Sequence, residues 1–181
     1  MPHLGYKRKG CIQIDNRKIK KEIEKEKITR SGLSSCIIHC YLYNTPHFLG
    51  CFAQDELKQI TITSLPVFLI VNFDHSSSKG THWIALYITK KSLEIFDPLG
   101  FNINRWPNIP KFLLQFLNKF SIHRRIMISK EIQPLTSTLC GFYCIYFVLY
   151  RAFNTFEMCN NYFSNKLYKN DKLLTNFFNK S

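Results

Sequence analysis

Residues 140–153, read as Cys-Gly-Phe-Tyr-Cys-Ile-Tyr-Phe-Val-Leu-Tyr-Arg-Ala-Phe, constrain this chain more than any other stretch. Wound as a helix they are apolar on nearly every side, and such a helix has to be buried all round. The uncharged apolar part runs only from Gly141 to Tyr150, far short of the roughly 20 residues of a membrane span. The covering must therefore come from the rest of the same chain, and no membrane partner is expected.

The sequence supplies the layers. Leu65–Phe73 is an apolar run bounded by Pro66 and the Ser-rich turn Asp74–Gly80, the pattern of a buried strand. Trp83–Thr89 predicts a second strand. Leu93–Phe96 predicts a third, across the charged turn Lys90–Lys91. Pro and Gly mark Asp97–Gly100 as a turn. Pro110–Phe120 repeats Phe112, Leu113, Phe116, Leu117 and Phe120 at helical spacing. Arg125–Ile132 predicts a fourth strand, Thr136–Thr138 offers capping hydroxyls to the helix at Cys140, and Phe163–Phe178 predicts a closing helix. Strands bracketed by helices make an α+β domain with helices flanking a central sheet. Hydrophobic residues at 45%, 15% of the chain being aromatic, are enough for a real core and exclude wholesale disorder.

The first thirty residues differ. They hold ten Lys/Arg against four acids and no Phe or Trp. We divide the chain into a basic arm, 1–35, and a globular domain, 36–181. The formal charge of +13 over 181 residues favours polyanionic partners. The N-terminus has no apolar segment of the secretory kind, so the expected location is a nucleus, cytoplasm or particle interior. Seven cysteines are an odd number. Without a secretion signal they argue against a disulfide framework and for thiol or metal chemistry.

One constellation fits thiol catalysis. Cys140 opens the apolar helix, where the helix dipole favours a thiolate nucleophile. His82 begins a strand beside Trp83 and could share the proton, then deliver it to a leaving amine. Asp97 ends the next strand, so a hairpin brings it across to His82, where a carboxylate orients the imidazole. Gln133, seven residues before Cys140, can reach an oxyanion formed at the sulfur, with the Cys140 backbone N–H as second donor. Taken singly, each residue has an ordinary structural reading. Their order and placement together carry the inference.

Two segments, Thr81–Gly100 (THWIALYITKKSLEIFDPLG) and Gln133–Phe147 (QPLTSTLCGFYCIYF), resemble the adenovirus-type endopeptidases, the adenain-like branch of the cysteine proteases. Pro46-His47-Phe48-Leu49-Gly50 and Val71-Asn72 add to the likeness, which runs from about Asn44 to Phe153. The resemblance implies a papain-like mixed α/β core with His before Cys. It implies the roles just given to Cys140, His82, Asp97 and Gln133. It further implies cleavage of viral capsid or core precursors during virion maturation, after small residues such as Gly, in a narrow cleft under Trp83. The expected locations narrow to host nucleus or cytoplasm and virion interior. No cofactor is required for the chemistry. DNA is an implied partner, with Arg124, Arg125, Lys130 and the arm as its contacts. A strand-donating activating peptide is another. The stretch matching the family's disulfide-forming segment, Ile122–Lys130, has no Cys, so strand addition here would be non-covalent. The family's wider clan contains SUMO-specific deconjugases, which gives an alternative activity.

Other residues compete. Cys36, Cys40, His47 and Cys51 loosely resemble a zinc loop. With the basic arm, such a loop would suit a non-enzymatic nucleic-acid-binding protein. Cys144 follows Cys140 by one helical turn, as a redox partner or a packed core thiol.

Overall fold

The computed structural model describes residues 21, 25, 32–78, 80–101 and 109–180. Most of the basic arm lies outside these. Five strands form one sheet: β1 (Phe48–Ala53), β2 (Val67–Asn72), β3 (Trp83–Ile88), β4 (Ser92–Phe96) and β5 (Arg125–Ile128). They lie in the order β1-β2-β3-β4-β5. The inner pairs, β2/β3 and β3/β4, are antiparallel, and the outer pairs, β1/β2 and β4/β5, are parallel. Among the described residues, five α-helices flank the sheet: α1 (Ser35–Leu42), α2 (Lys111–Ser121), α3 (Cys140–Arg151), α4 (Phe156–Asn161) and α5 (Asn170–Lys180).

Alternation along the strands sorts the core into two layers. Phe68, Ile70, Ala85 and Phe96 face the layer of α3, with Phe142, Tyr146 and Phe147 among its buried residues. Leu69, Val71, Ile84, Leu86 and Ile95 face the other way, onto Leu113, Phe116 and Leu117 of α2. Both faces of β2 are thus covered, and every residue of that strand is buried. Residues Cys140 to Val148 of α3 are all buried too, as an all-round apolar helix requires. Each large side chain removed from water contributes about 1.5–3 kcal/mol.

Folded structure is already present just before residue 36. Leu33 is already buried, and α1 is capped by Ser34, whose Oγ accepts from the Ile37 N–H. Three expectations need correction. The fourth strand stops at Ile128, not Ile132. Beyond it Ser129 turns its hydroxyl onto the Asp97 backbone, and the Ile132 and Gln133 N–H groups donate to the Pro98 carbonyl. The closing helix starts at Asn170, not Phe163. The Asn170 side chain bonds the N–H and carbonyl of Ser164, holding that stretch in a loop. Thr136 and Thr138 do not cap α3, whose N-cap, Leu139, has no side-chain bond. The turn Pro134–Ser137 brings Ser137 into place instead, and its Oγ accepts the Leu139 N–H at 3.3 Å.

A buried ion pair ties α3 to the sheet. Glu94 of β4, 2% exposed, accepts from Arg151 Nε and Nη2, both at 2.8 Å. The guanidinium also lies 4.7 Å over the Tyr87 ring. Removing one partner strands the other's charge in a low-dielectric place. Arg151→Leu is expected to destabilise the protein by about 3–5 kcal/mol. The double change Glu94→Leu/Arg151→Leu should recover most of that loss in a denaturant titration.

Candidate active site

The β3/β4 hairpin builds the first half of the site. Its register pairs Ala85 with Phe96, so Asp97, one step past β4, lies diagonally across from His82, one step before β3. Their side chains meet there. His82 Nε2 and Asp97 Oδ1 are 2.8 Å apart, and Asp97 is completely buried. The same Oδ1 accepts the Leu99 N–H at 2.9 Å. Ser129 braces the backbone of Asp97 from β5's end: its Oγ accepts the Asp97 N–H and donates to the Asp97 carbonyl, each at 2.8 Å. Phe73 packs against the imidazole at 5.1 Å between centroids, with the rings nearly perpendicular.

Helix α3 brings the thiol. Cys140, at its first position, stands close enough to the His82 imidazole for its thiol to favour the charged ring. Because Nε2 belongs to Asp97, Nδ1 is the nitrogen left for sulfur. Burial opposes a charge on His82, but its bonds to Asp97 and Cys140, and the negative charge available on each, outweigh burial and push its pKa up to about 9. The ring is therefore held as imidazolium across the neutral range, beside the Cys140 sulfur. With no side-chain cap on α3, its first-turn N–H groups stay available to an incoming negative charge.

Gln133 is buried and sits between the two halves. Its backbone N–H donates to the Pro98 carbonyl at 2.8 Å, one residue from Asp97. Its Nε2 donates to the Ser137 carbonyl at 2.8 Å, three residues before Cys140. That bond fixes which end of the amide is nitrogen and leaves a second N–H on Nε2. The arrangement can hold a thiolate beside a proton donor and present amide N–H groups to an oxyanion.

The remaining sequence candidates scatter. Trp83 is buried with its indole N–H on the Leu33 carbonyl at 2.9 Å. Leu33 also fills the space against Gly141, where a Cβ would come within 3.0 Å of the Leu33 Cβ. Arg124 donates to the Thr89 and Phe120 carbonyls, and Lys130 to the Phe163 carbonyl and Asn165. Arg125 is exposed on β5. Cys144 is wholly buried, with its thiol on the Trp83 carbonyl at 3.3 Å, and burial pushes its pKa well up. Among the described residues, no three His, Cys, Asp or Glu side chains gather as metal ligands. Sequence reasoning missed Ser129 and Phe73. A lone Ser after a strand and a Phe at a strand's end carry no signal of their own.

The model of one protein family, adenovirus endoprotease, matches residues 48–177, well over half of the chain. No curated protein matches. Two solved structures of the SUMO protease Ulp1 align with 94% of this chain. In one the catalytic cysteine is oxidized to a sulfinic acid: identity is 14%, 99% of that chain is covered and the TM-score is 0.44. In the other it is oxidized to a sulfenic acid: identity is 13%, coverage 98% and TM-score 0.40.

The raised His82 pKa has a stability consequence with a definite sign. Folding gains from the protonated ring below about 6.5, the ordinary imidazole value, and that gain fades as pH rises through about 9. In an NMR titration the His82 ring should titrate near 9. Asp97→Asn should lower that value by about one unit or more. An unchanged midpoint would remove Asp97 as the cause.

Proposed function

The chain belongs to the adenovirus endoprotease family, and on that premise we propose that Cys140, His82, Asp97 and Gln133 perform its peptide-bond cleavage. As a member it is a cysteine endopeptidase, acting on proteins and needing no cofactor for its chemistry. Its fold is the adenain-type core, a mixed sheet flanked by helices. The observation that carries the residue assignment is the imidazole held between a buried carboxylate and the thiol at a helix start.

The steps follow from that geometry. The Cys140 thiolate attacks the scissile carbonyl carbon, forming a C–S bond and moving the carbonyl electron pair onto oxygen. The second N–H of Gln133 Nε2 and the first-turn N–H of α3 receive that oxyanion. As the oxyanion collapses, the C–N bond breaks and the imidazolium of His82 gives its proton to the leaving amine. His82, now neutral, takes a proton from water, whose oxygen attacks the thioester. Collapse releases the acid and restores the thiolate–imidazolium pair. Asp97 keeps the ring oriented throughout and stabilises its charged form.

The substrates in this reading are viral capsid or core precursors, cut during maturation inside the virion or the infected cell. Close packing of Leu33 against Gly141 and Trp83 supports a narrow approach to the sulfur, suited to Gly beside the scissile bond. The exposed Ile126 and Ile128, 50% and 46% accessible on edge strand β5, support addition of an activating strand there. The basic balance of the chain supports DNA as a partner, met by the arm and Arg125.

The test compares wild type with Cys140→Ala on precursor-derived peptides carrying Gly or Phe before the scissile bond. Wild type should cut the Gly peptides and largely spare the Phe ones. Cys140→Ala should fall to background while its melting curve is kept. Wild-type rates in the Cys140→Ala protein would overturn the catalytic assignment. Faster cleavage of a SUMO C-terminal substrate than of any linear peptide would overturn the precursor assignment.

A further inference from the structure

Helix α5 touches the segment from Ile132 to Cys140 through two consecutive residues at its start. Asn170, fully buried, donates from Nδ2 to the carbonyl of Ile132, the residue before Gln133, at 2.7 Å. Asp171 accepts at Oδ1 from Ser137 Oγ at 3.0 Å and from Tyr143 OH at 2.9 Å. Ser137 is a junction. Its carbonyl takes the Gln133 Nε2–H at 2.8 Å. Its hydroxyl oxygen takes the N–H of Leu139, immediately before Cys140, at 3.3 Å. Its own N–H closes the turn onto the Pro134 carbonyl at 2.9 Å.

These bonds leave the Gln133 amide little freedom. A primary amide on two methylene groups has several rotamers, and only one orientation aims an N–H at a forming oxyanion. One Nε2–H is spent on Ser137, which fixes the plane and the end of the amide. Ser137 in turn is held in place by a carboxylate, and hydrogen bonds to an ionised acceptor are roughly twice as strong as neutral ones. Both ends of the loop are therefore pinned from one helix, Ile132 by Asn170 and Ser137 by Asp171.

We propose that the first turn of α5 is a positioning clamp for the oxyanion donor: Asp171, through Ser137, sets the Gln133 amide while Asn170 anchors the adjoining backbone. The inference rests on the reading of Gln133 as that donor. Ser137 and Asp171 are positioning residues and touch no reacting atom. Their contribution is felt once charge develops on the carbonyl oxygen, so it belongs to kcat and not to KM.

The test measures peptide hydrolysis and, separately, alkylation of Cys140 by iodoacetamide, a displacement that forms no oxyanion. Ser137→Ala keeps the carbonyl and loses only the hydroxyl. Both Ser137→Ala and Asp171→Ala should lower kcat by about tenfold to a hundredfold, with KM and the alkylation rate unchanged. Ser137→Thr, which restores a hydroxyl, should recover most of the rate. Tyr143→Phe removes the other bond to Asp171 and should leave kcat alone. Within a Gln133→Ala background, Ser137→Ala should cost nothing further. If it costs as much there as in wild type, the clamp does not act through Gln133. Equal falls in alkylation and hydrolysis would make Ser137 a general support of the thiol and overturn the proposal. Wild-type kcat in Gln133→Ala would instead sink the oxyanion reading itself, and the clamp with it. A slow Gln133→Ala beside a fast Ser137→Ala would sink the clamp alone.

Discussion

A carboxylate with no exposure to water must find its donors inside the protein, and Asp97 is such a carboxylate. Its donors are the His82 ring and the Leu99 N–H. The Leu99 N–H is local, two residues along the chain, but the His82 ring is reached only when the β3/β4 hairpin closes in the observed register, because a slip of one residue would turn Asp97 to the other face. The bond that orients His82 is thus also a condition on the sheet. Burial alone would make the imidazole a weaker base. The carboxylate and the thiol together reverse that, and the site acquires a proton donor at neutral pH.

The second condition is the placement of α3. Its apolar surface buries it against the sheet on one side and α1 and α5 on others, so its axis is fixed by packing. Its polar start then falls where packing leaves it, at the end of the hairpin that holds His82. Gly141 contributes by having no side chain: Leu33 and Ile38 occupy that space within 3.0–3.3 Å of where a Cβ would stand. Cys140 is aimed by the core, and the residues that surround it are mostly core residues.

What was legible in the sequence follows the same division. The runs 65–73, 83–89 and 93–96 and the helix at Cys140 were readable because packing dictates both their pattern and their structure. His82 and Asp97 were readable as partners because a hairpin is local. The end of β5 and the start of α5 were not. They are decided by single side chains bonding backbone groups 32 and 38 residues away, Ser129 to Asp97 and Asn170 to Ile132. Hydrophobic periodicity carries no trace of such bonds. Strand β1 was obscured by the register shift between Phe48 and Gly50, which breaks the alternation a strand should display. Arg124 and Lys130 count as cations in the composition, yet both are engaged by carbonyl oxygens, and charge totals cannot distinguish an engaged cation from a presented one.

The turn Asp97–Gly100 ties His82 to Gln133. Its first residue orients His82, and the carbonyl of its second, Pro98, accepts the N–H groups of both Ile132 and Gln133 at 2.9 and 2.8 Å. Asp97 and Gln133 are therefore linked through one peptide unit and not through flexible side chains. The closeness demands Gly100. It adopts a φ of +77°, and a Cβ there would stand 3.1 Å from the Glu131 backbone nitrogen. A side chain at that position would push the loop stretch 131–133 outward. The displacement would fall first on the Pro98 bonds and then on the amide of Gln133. Precision at the sulfur thus depends on a residue with no chemistry of its own, because main-chain hydrogen bonds transmit position with little slack.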